Sequence, residues 1–466
     1  MKFLGSVFLG LILLFYSSEN SLLEKIIEGR ELRVATCYGL TTYYQSPKGK
    51  AGLEYELAKR FAQALGVELQ IKVADNATDA LQMVANHEVH FAAGLTVTKP
   101  RQSLVRFGPS YQEITQQLIY RRGSLHPPNN LANLTPYHQL NVIAGSHQID
   151  ILKALKKDYS QLTFKEVPNA MMPSDLIEQV FQKETQYALA NSNEVAQMRR
   201  FHPELQVAFE LPTPNQLAWA FPHSEKDNSL YMVSIQFFNE LQRSGELEQL
   251  IERYYGHISE DEDFDYVNIR TFHRNIEERL PLYRAYFETV AAEYHLDWRF
   301  LAAMGYQESK WNPRAVSHTG VRGLMMLTQS TAEEMGVKNR QDPFASIQGG
   351  TKYLVTIKNR LPKDIQEPDK TWFALAAYNV GLGHIRDVRQ LAEELGDNPN
   401  RWVDVKKHLP KLTKPYWYNQ TKYGYARGHE PVQFVTNIRR FYDILAMSNG
   451  EWRIANTKSE KDKSNS

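Results

Sequence analysis

With 466 residues the chain exceeds what one hydrophobic core ordinarily serves, so two or three domains are expected. Apolar residues at 42% and charged residues at 23% exclude a disordered or low-complexity protein. A net charge of +1 gives no reason to expect a nucleic-acid partner. At the start of the chain, residues 1–21 carry one Lys, an apolar stretch from Phe3 to Phe15 and then small polar residues, the pattern of a secretory signal peptide. The stretch is short for a membrane span of about 20 residues. No clean A-x-A-like cleavage site follows it, so retention as an anchor stays open. Cys37 is the only cysteine, which leaves no intrachain disulfide; inside "LRVATCYG" it reads as a packed strand residue.

From Glu31 onward, short β-rich runs alternate with amphipathic helices. "ELRVAT" precedes "GLEYELAKRFAQALG", whose Leu53, Leu57, Phe61 and Leu65 repeat every four residues, and "VELQIKV" and "HFAAGLTV" follow as strands. A second set holds "LNVIAGSHQIDILKAL" and "YALAN", then "QLAWAFP" and a long helical region from Ser229 to Gly256. This alternation predicts a bilobal α/β domain over 31–257. The acidic stretch at 258–268 interrupts it and reads as a linker. Beyond, over 269–450, strand patterns nearly vanish. Helices are expected at about 281–294, 298–309, 331–335, 343–361, 370–379, 384–394 and 431–447. Ser330 and Glu333 fit a capping box, Asp342-Pro343 a cap with a first-turn proline, and Gly336 and Gly381 helix stops. The tail at 451–466 has the composition of a disordered segment.

On a helix starting near Asp297, residues Leu301, Met304, Gly305 and Glu308 share one face, because positions three and four apart stack. A carboxyl group against such an apolar face loses hydration, so its charged form is disfavoured and its pKa rises. A protonated acid near neutral pH can donate a proton to a glycosidic oxygen. A solvated helix-end Glu is the competing reading for Glu308 alone. Its neighbours argue against that reading: Ser309 follows, Pro313 prevents simple continuation of the helix, and Gly320 and Gly323 permit close backbone approach.

Glu308-Ser309, then Gly323-Leu324-Met325, then Ala377-Tyr378-Asn379 with Gly381 resemble the ES, GLM and AYN motifs of the lysozyme-like lytic transglycosylases that cut peptidoglycan. "GHEPVQFVTNIRRFYDIL" is similar to that family's closing helix. The resemblance implies a mainly α lysozyme-like domain acting on glycan strands, with no metal and no organic cofactor. It implies one acid/base, Glu308, where ordinary glycosidases use two carboxylates. It further implies that Ser309, Met325, Tyr378 and Asn379 surround the acid or the sugar, with Glu430 as the sole acidic partner in the pattern. Met326 stands where many relatives have Gln, and cannot make that amide's two-sided hydrogen bonds. In "KPYWYNQTKYGYARG", Tyr416, Trp417, Tyr418, Tyr423 and Tyr425 cluster; aromatic faces suit sugar rings, and Tyr425 is the expected cleft residue.

The front half resembles the bilobal periplasmic solute-binding proteins of the amino-acid type. There the segment with Thr96, Thr98 and Arg101 implies a carboxylate grip, for which a guanidinium is suited by its paired donors. Ser146, in "AGSHQIDIL", implies a second-lobe contact at a helix N-terminus. Where free-amino-acid binders offer an acid, "YALANSNE" has Tyr187 and Ser192, so the expected ligand is a stem peptide or related wall fragment. The two halves joined behind an export segment are similar to membrane-associated transglycosylases, which implies peripheral attachment at the periplasmic face of the outer membrane and regulation by the front module. A water-using muramidase and a catalytically silent sensor remain the alternatives.

Overall fold

A computed structural model describes residues 21–448 apart from 47–48, 124–126, 136, 225–226 and 258–261. The expected export segment up to Asn20 and the expected tail both lie outside the described residues. The chain divides into two compact units between Leu250 and Ile251.

The first unit has two lobes. One begins with α1 (Leu22–Gly29), β1 (Glu31–Cys37), the short pair β2 (Tyr44–Ser46) and β3 (Gly49–Ala51), α2 (Leu53–Leu65), β4 (Glu68–Ala74), α3 (Ala77–Ala85), β5 (Phe91–Thr96), α4 (Lys99–Gln102) and β6 (Val105–Ile114). The chain crosses once into β7 (Gln116–Arg121), β8 (Leu140–Ile143), α5 (His147–Leu155), β9 (Lys165–Val167), α6 (Pro173–Gln182), β10 (Tyr187–Asn191), α7 (Ser192–Arg199) and β11 (Leu205–Glu210). It returns in β12 (Asn215–Pro222), followed by α8 (Ser229–Arg243) and by α9 (Glu246–Tyr255), within which the division between the units falls. The sheets run β4-β1-β5-β12-β6 and β11-β7-β10-β8-β9. β1 pairs in parallel with β4 and β5, whereas β12 is antiparallel to β5 and β6. Helices on both faces leave the central strands buried, which is why "FAAGL" and "LAWAF" read as apolar runs and not as alternation.

Two crossings make a hinge, and polar side chains pin it. Gln116 is fully buried and donates to Asn191 at 2.8 Å and to Asn215 at 3.1 Å. Ser192, one of the positions where an acid was expected, exchanges bonds with Thr115: its hydroxyl accepts from the Thr115 amide at 3.0 Å and its amide donates to the Thr115 carbonyl. Tyr187 is core, 3% exposed. Neither faces a ligand as an acid would.

The second unit is helical: α10 (Glu262–Glu278), α11 (Leu280–Glu293), α12 (Trp298–Ser309), α13 (Gln329–Met335), α14 (Pro343–Arg360), α15 (Asp369–Val380), α16 (Leu382–Glu394), α17 (Trp402–Val405), α18 (Pro415–Tyr418) and α19 (His429–Ser448). Among its described residues only isolated β-bridges occur, around Arg322. The linker expected over 258–268 is corrected from Glu262 on, where α10 has already begun. Ile269 and Phe272, further along this helix, are buried. The first cap of α13 is also corrected. Thr328, not Ser330, accepts from the amide three residues on, at 3.0 Å, so the helix starts two residues early. Asp342 caps α14 as expected, and Gly336 ends α13 with φ 81°.

The core of this unit is α15. Trp372 through Ala377 are all buried, the mark of a helix enclosed on every side. α14, α16 and α19 pack on it, and α12 packs on α19. Asp369, 1% exposed, accepts from the Trp402 amide at 2.7 Å and so fixes the start of the central helix.

Candidate active site and ligand cavity

Glu308 occupies the last turn of α12, beyond Leu301 and Met304, which are fully buried. The side chain keeps partial exposure, yet the surrounding protein strips enough water that burial alone pushes its acid up to about 8. A neighbouring carboxylate would add its own repulsion, and none contributes. Gly305 makes the enclosure possible. A Cβ there would lie 2.8 Å from the Leu324 side chain and 3.0 Å from Phe287, so the Gly323–Met326 turn closes directly onto the helix.

The helix stops earlier than Pro313 requires. Lys310 and Trp311 both take left-handed conformations, φ 53° and 55°, immediately after the Glu308-Ser309 pair. Such conformations are costly outside glycine and persist where the surroundings enforce them. Here Trp311 is 1% exposed and donates its indole N–H to the Ala302 carbonyl at 2.8 Å.

Three hydroxyls hold the turn beside the acid. Ser309 donates to the Leu324 carbonyl at 2.8 Å, Tyr378 donates to the Met325 carbonyl at 2.9 Å, and Ser346 accepts from the Met325 amide at 3.1 Å. Burial and then the Glu308 charge raise the Tyr378 phenol well above its ordinary range, which places it in the field of that acid. Its ring is stacked on Phe434 of α19 at 6.5 Å. Gly323 has φ 88°, and any Cβ on it would meet the Arg340 carbonyl oxygen at 1.7 Å; no other residue fits. Arg340 in turn donates to the carbonyls of Gly320 and Leu327, both at 3.0 Å.

The structure therefore brings Glu308, Ser309, the Gly323–Met326 turn and Tyr378 together. Met325 is corrected: its side chain is fully buried against Gly350 and Gly305 and cannot touch a substrate, while its backbone supplies the anchor for Tyr378. Met326 is half-exposed with φ 47°. Asn379 is exposed in the last turn of α15, and Gly381, not Asn379, ends that helix. Tyr425 is exposed, with its ring 5.7 Å from Tyr418. Glu430 lies in the first turn of α19 and pairs with Arg427 at 3.2 Å, both exposed. Ser346 and Arg340 escaped sequence reasoning, because each is an ordinary helix or loop residue until the turn is folded against it.

In the first unit a cavity of about 730 Å³ lies between the lobes, lined by Thr96, Arg101 and Ser146 among others. Arg101 is 7% exposed and donates to the Thr96 carbonyl at 3.2 Å, which excludes a surface ion pair. Thr98 spends its hydroxyl capping α4, accepting from the Arg101 amide at 3.4 Å. Ser146 precedes α5 but makes no side-chain cap, and its buried hydroxyl has no partner in the protein. Cys37 also lines the cavity; burial pushes its thiol up to about 12, leaving it unreactive. Three acids line the cavity: Asp75, Asp175 and Glu194. Glu194, two residues beyond Ser192, is pushed by burial up to about 7, and one of its carboxyl oxygens is buried without a partner. The signal was present in "NSNE", shifted from the position where it was sought.

Two family models match the chain: "Transglycosylase SLT domain" at residues 285–400 and "Bacterial extracellular solute-binding proteins, family 3" at residues 32–257. Membrane-bound lytic murein transglycosylase F 1 of Alkalilimnicola ehrlichii is 47% identical, covering 91% of this chain and 85% of its own length. Membrane-bound lytic murein transglycosylase F of Ectopseudomonas mendocina is 48% identical, covering 91% and 86%. A solute-binding fold in front of a helical, lysozyme-like SLT domain defines a lytic murein transglycosylase, an enzyme whose substrate is peptidoglycan. The chain belongs to the membrane-bound lytic murein transglycosylase F family. No described helix is long and apolar enough to cross a membrane.

Proposed function

We propose that Glu308 is the single acid/base of a reaction that cuts the β-1,4 bond between N-acetylmuramic acid and N-acetylglucosamine and leaves a 1,6-anhydro end. The observation that carries this reading is a carboxyl kept protonated to about 8 by burial alone, with no second acid acting on it. Protonated Glu308 gives its proton to the glycosidic oxygen as the bond from C1 breaks, and the N-acetyl carbonyl of the muramyl unit stabilises the positive C1. The resulting carboxylate then takes the proton of the C6 hydroxyl, whose oxygen bonds to C1. The proton is returned to Glu308 and no water is consumed. Water in place of the C6 hydroxyl would give hydrolysis, with products heavier by one water. Ser309 and Tyr378 serve this chemistry by fixing the turn that encloses the acid.

The front module, in this reading, binds a wall fragment and regulates cutting. Arg101 would take a carboxylate, and a cavity of about 730 Å³ exceeds what one free amino acid fills. Export, with peripheral attachment at the periplasmic face of the outer membrane, belongs to this reading and is supported by the "membrane-bound" names of the relatives and by the apolar run from Phe3 to Phe15. The test is mass spectrometry of peptidoglycan digests, wild type against Glu308→Gln. Anhydro-muropeptides from wild type and their loss in the variant are the expected result; hydrated ends, or undiminished digestion by the variant, would overturn it.

A further inference from the structure

Helix α18 and the loop that follows it expose three tyrosines, Tyr416 at 71% in the helix and Tyr423 at 46% and Tyr425 at 57% in the loop. Two features of α16 hold the loop in place. Asp387, 6% exposed, accepts from the Tyr423 amide at 2.7 Å and from the Lys422 amide at 3.3 Å. One turn earlier, Gly383 lies beneath the Tyr423 ring so closely that a Cβ would meet it at 2.6 Å. A buried carboxyl is costly unless it is hydrogen-bonded, and here both donors come from the loop. The helix therefore carries a carboxyl whose hydrogen-bond donors, among the described residues, both come from the segment that presents the rings.

We infer that Asp387 is a positioning residue for substrate binding: it fixes Tyr423 and its neighbours as a surface for a saccharide ring of the glycan strand and the acidic peptide attached to it. Tyrosine faces cover the apolar face of a sugar while the hydroxyl edge stays hydrated. Cations are interleaved with the rings, which suits the carboxylates of a stem peptide. Lys422 lies 5.7 Å from the Tyr423 centroid and Lys411 4.8 Å from that of Trp417. The loop is tied to the acid's surroundings through the chain and through one ring stack. Gly383 stands four residues beyond Asn379, the loop runs directly into α19, and the Tyr378–Phe434 stack joins α15 to α19.

This inference rests on the glycan-cutting reading of Glu308, and the experiment separates the two. Initial rates on soluble, uncrosslinked glycan strands are measured for full-length wild type, Tyr423→Ala, Tyr423→Phe, Asp387→Asn and the Tyr423→Ala/Asp387→Asn pair, with Glu308→Gln as control. Tyr423→Ala should raise KM about 3- to 10-fold with kcat within about twofold, and Tyr423→Phe should stay near wild type. Asp387→Asn should reproduce the Tyr423→Ala change, and the pair should be no worse than either alone. An unchanged KM in Tyr423→Ala, a fall in kcat instead of a rise in KM, or multiplied effects in the pair would overturn it. If circular dichroism shows Asp387→Asn unfolded, Tyr423→Ala and Tyr423→Phe decide alone. Turnover surviving in Glu308→Gln would refute the acid/base reading while leaving the KM comparison intact.

Discussion

Glu308 links chemistry to stability through one proton. The unfolded chain releases it near 4.5, whereas the folded protein keeps it to about 8. Between those values the folded state binds a proton the unfolded state has lost, so this group lowers stability progressively as pH rises and adds nothing further above 8. Glu308→Gln should therefore be the more stable protein above pH 5, by on the order of 1–3 kcal/mol at pH 8 once partial exposure is allowed for, and indistinguishable from wild type near pH 4. Unfolding midpoints across this range check it; a difference independent of pH would contradict it. Wild-type turnover should fall as pH passes through about 8, as the donor loses its proton. Gly323 makes a second residue-scale claim. Gly323→Ala places a methyl 1.7 Å from a backbone oxygen at φ 88°, so the turn must move. A loss of at least about 1–3 kcal/mol, with activity falling with it, is expected from the forced backbone shift. Unaltered melting would sink that claim.

At the scale of elements, the helices were the readable part. α11, α12, α14, α15 and α19 fall within a few residues of the positions their periodicity predicts, because each has an apolar face and a usable boundary residue. What the sequence hid were contacts made by folding. The stop of α12 depends on Trp311 reaching back to Ala302, and Met325 became core because Gly350 and Gly305 leave room for it. The acidic run from Glu262 looks like a linker to a reader of charge, and becomes a helix through the burial of Ile269 and Phe272 further on. The residues of the candidate site were legible as motifs, while the bonds by which Ser309 and Tyr378 anchor one turn were not. A cap can be tested directly. Thr328→Ala removes the bond to the Thr331 amide and should cost about 1 kcal/mol. No change in the melting of the second unit would mean that Ser330 can take over the cap.

At the scale of the whole molecule, a ligand cavity in one unit is linked to the acid in the other, in the proposed function, through activity alone. A ligand that binds the folded front module must stabilise it by mass action, about 2.7 kcal/mol at one hundred times its Kd. Soluble muropeptides are expected to raise the melting temperature of the wild-type protein and to leave that of Arg101→Ala unmoved, since Arg101 is the buried cation in the cavity. An equal rise in both proteins would contradict the carboxylate grip. In the proposed mechanism, bond cleavage, its pH response and the stability of the Gln variant all descend from the proton on Glu308. The most direct measurement is a carbon-13 NMR titration of proteins labelled at the glutamate side-chain carboxyl, comparing wild type with Glu308→Gln. One resonance, absent from the variant, should titrate near 8 in place of 4.5; if that resonance titrates near 4.5, Glu308 is ionised at neutral pH and the account fails.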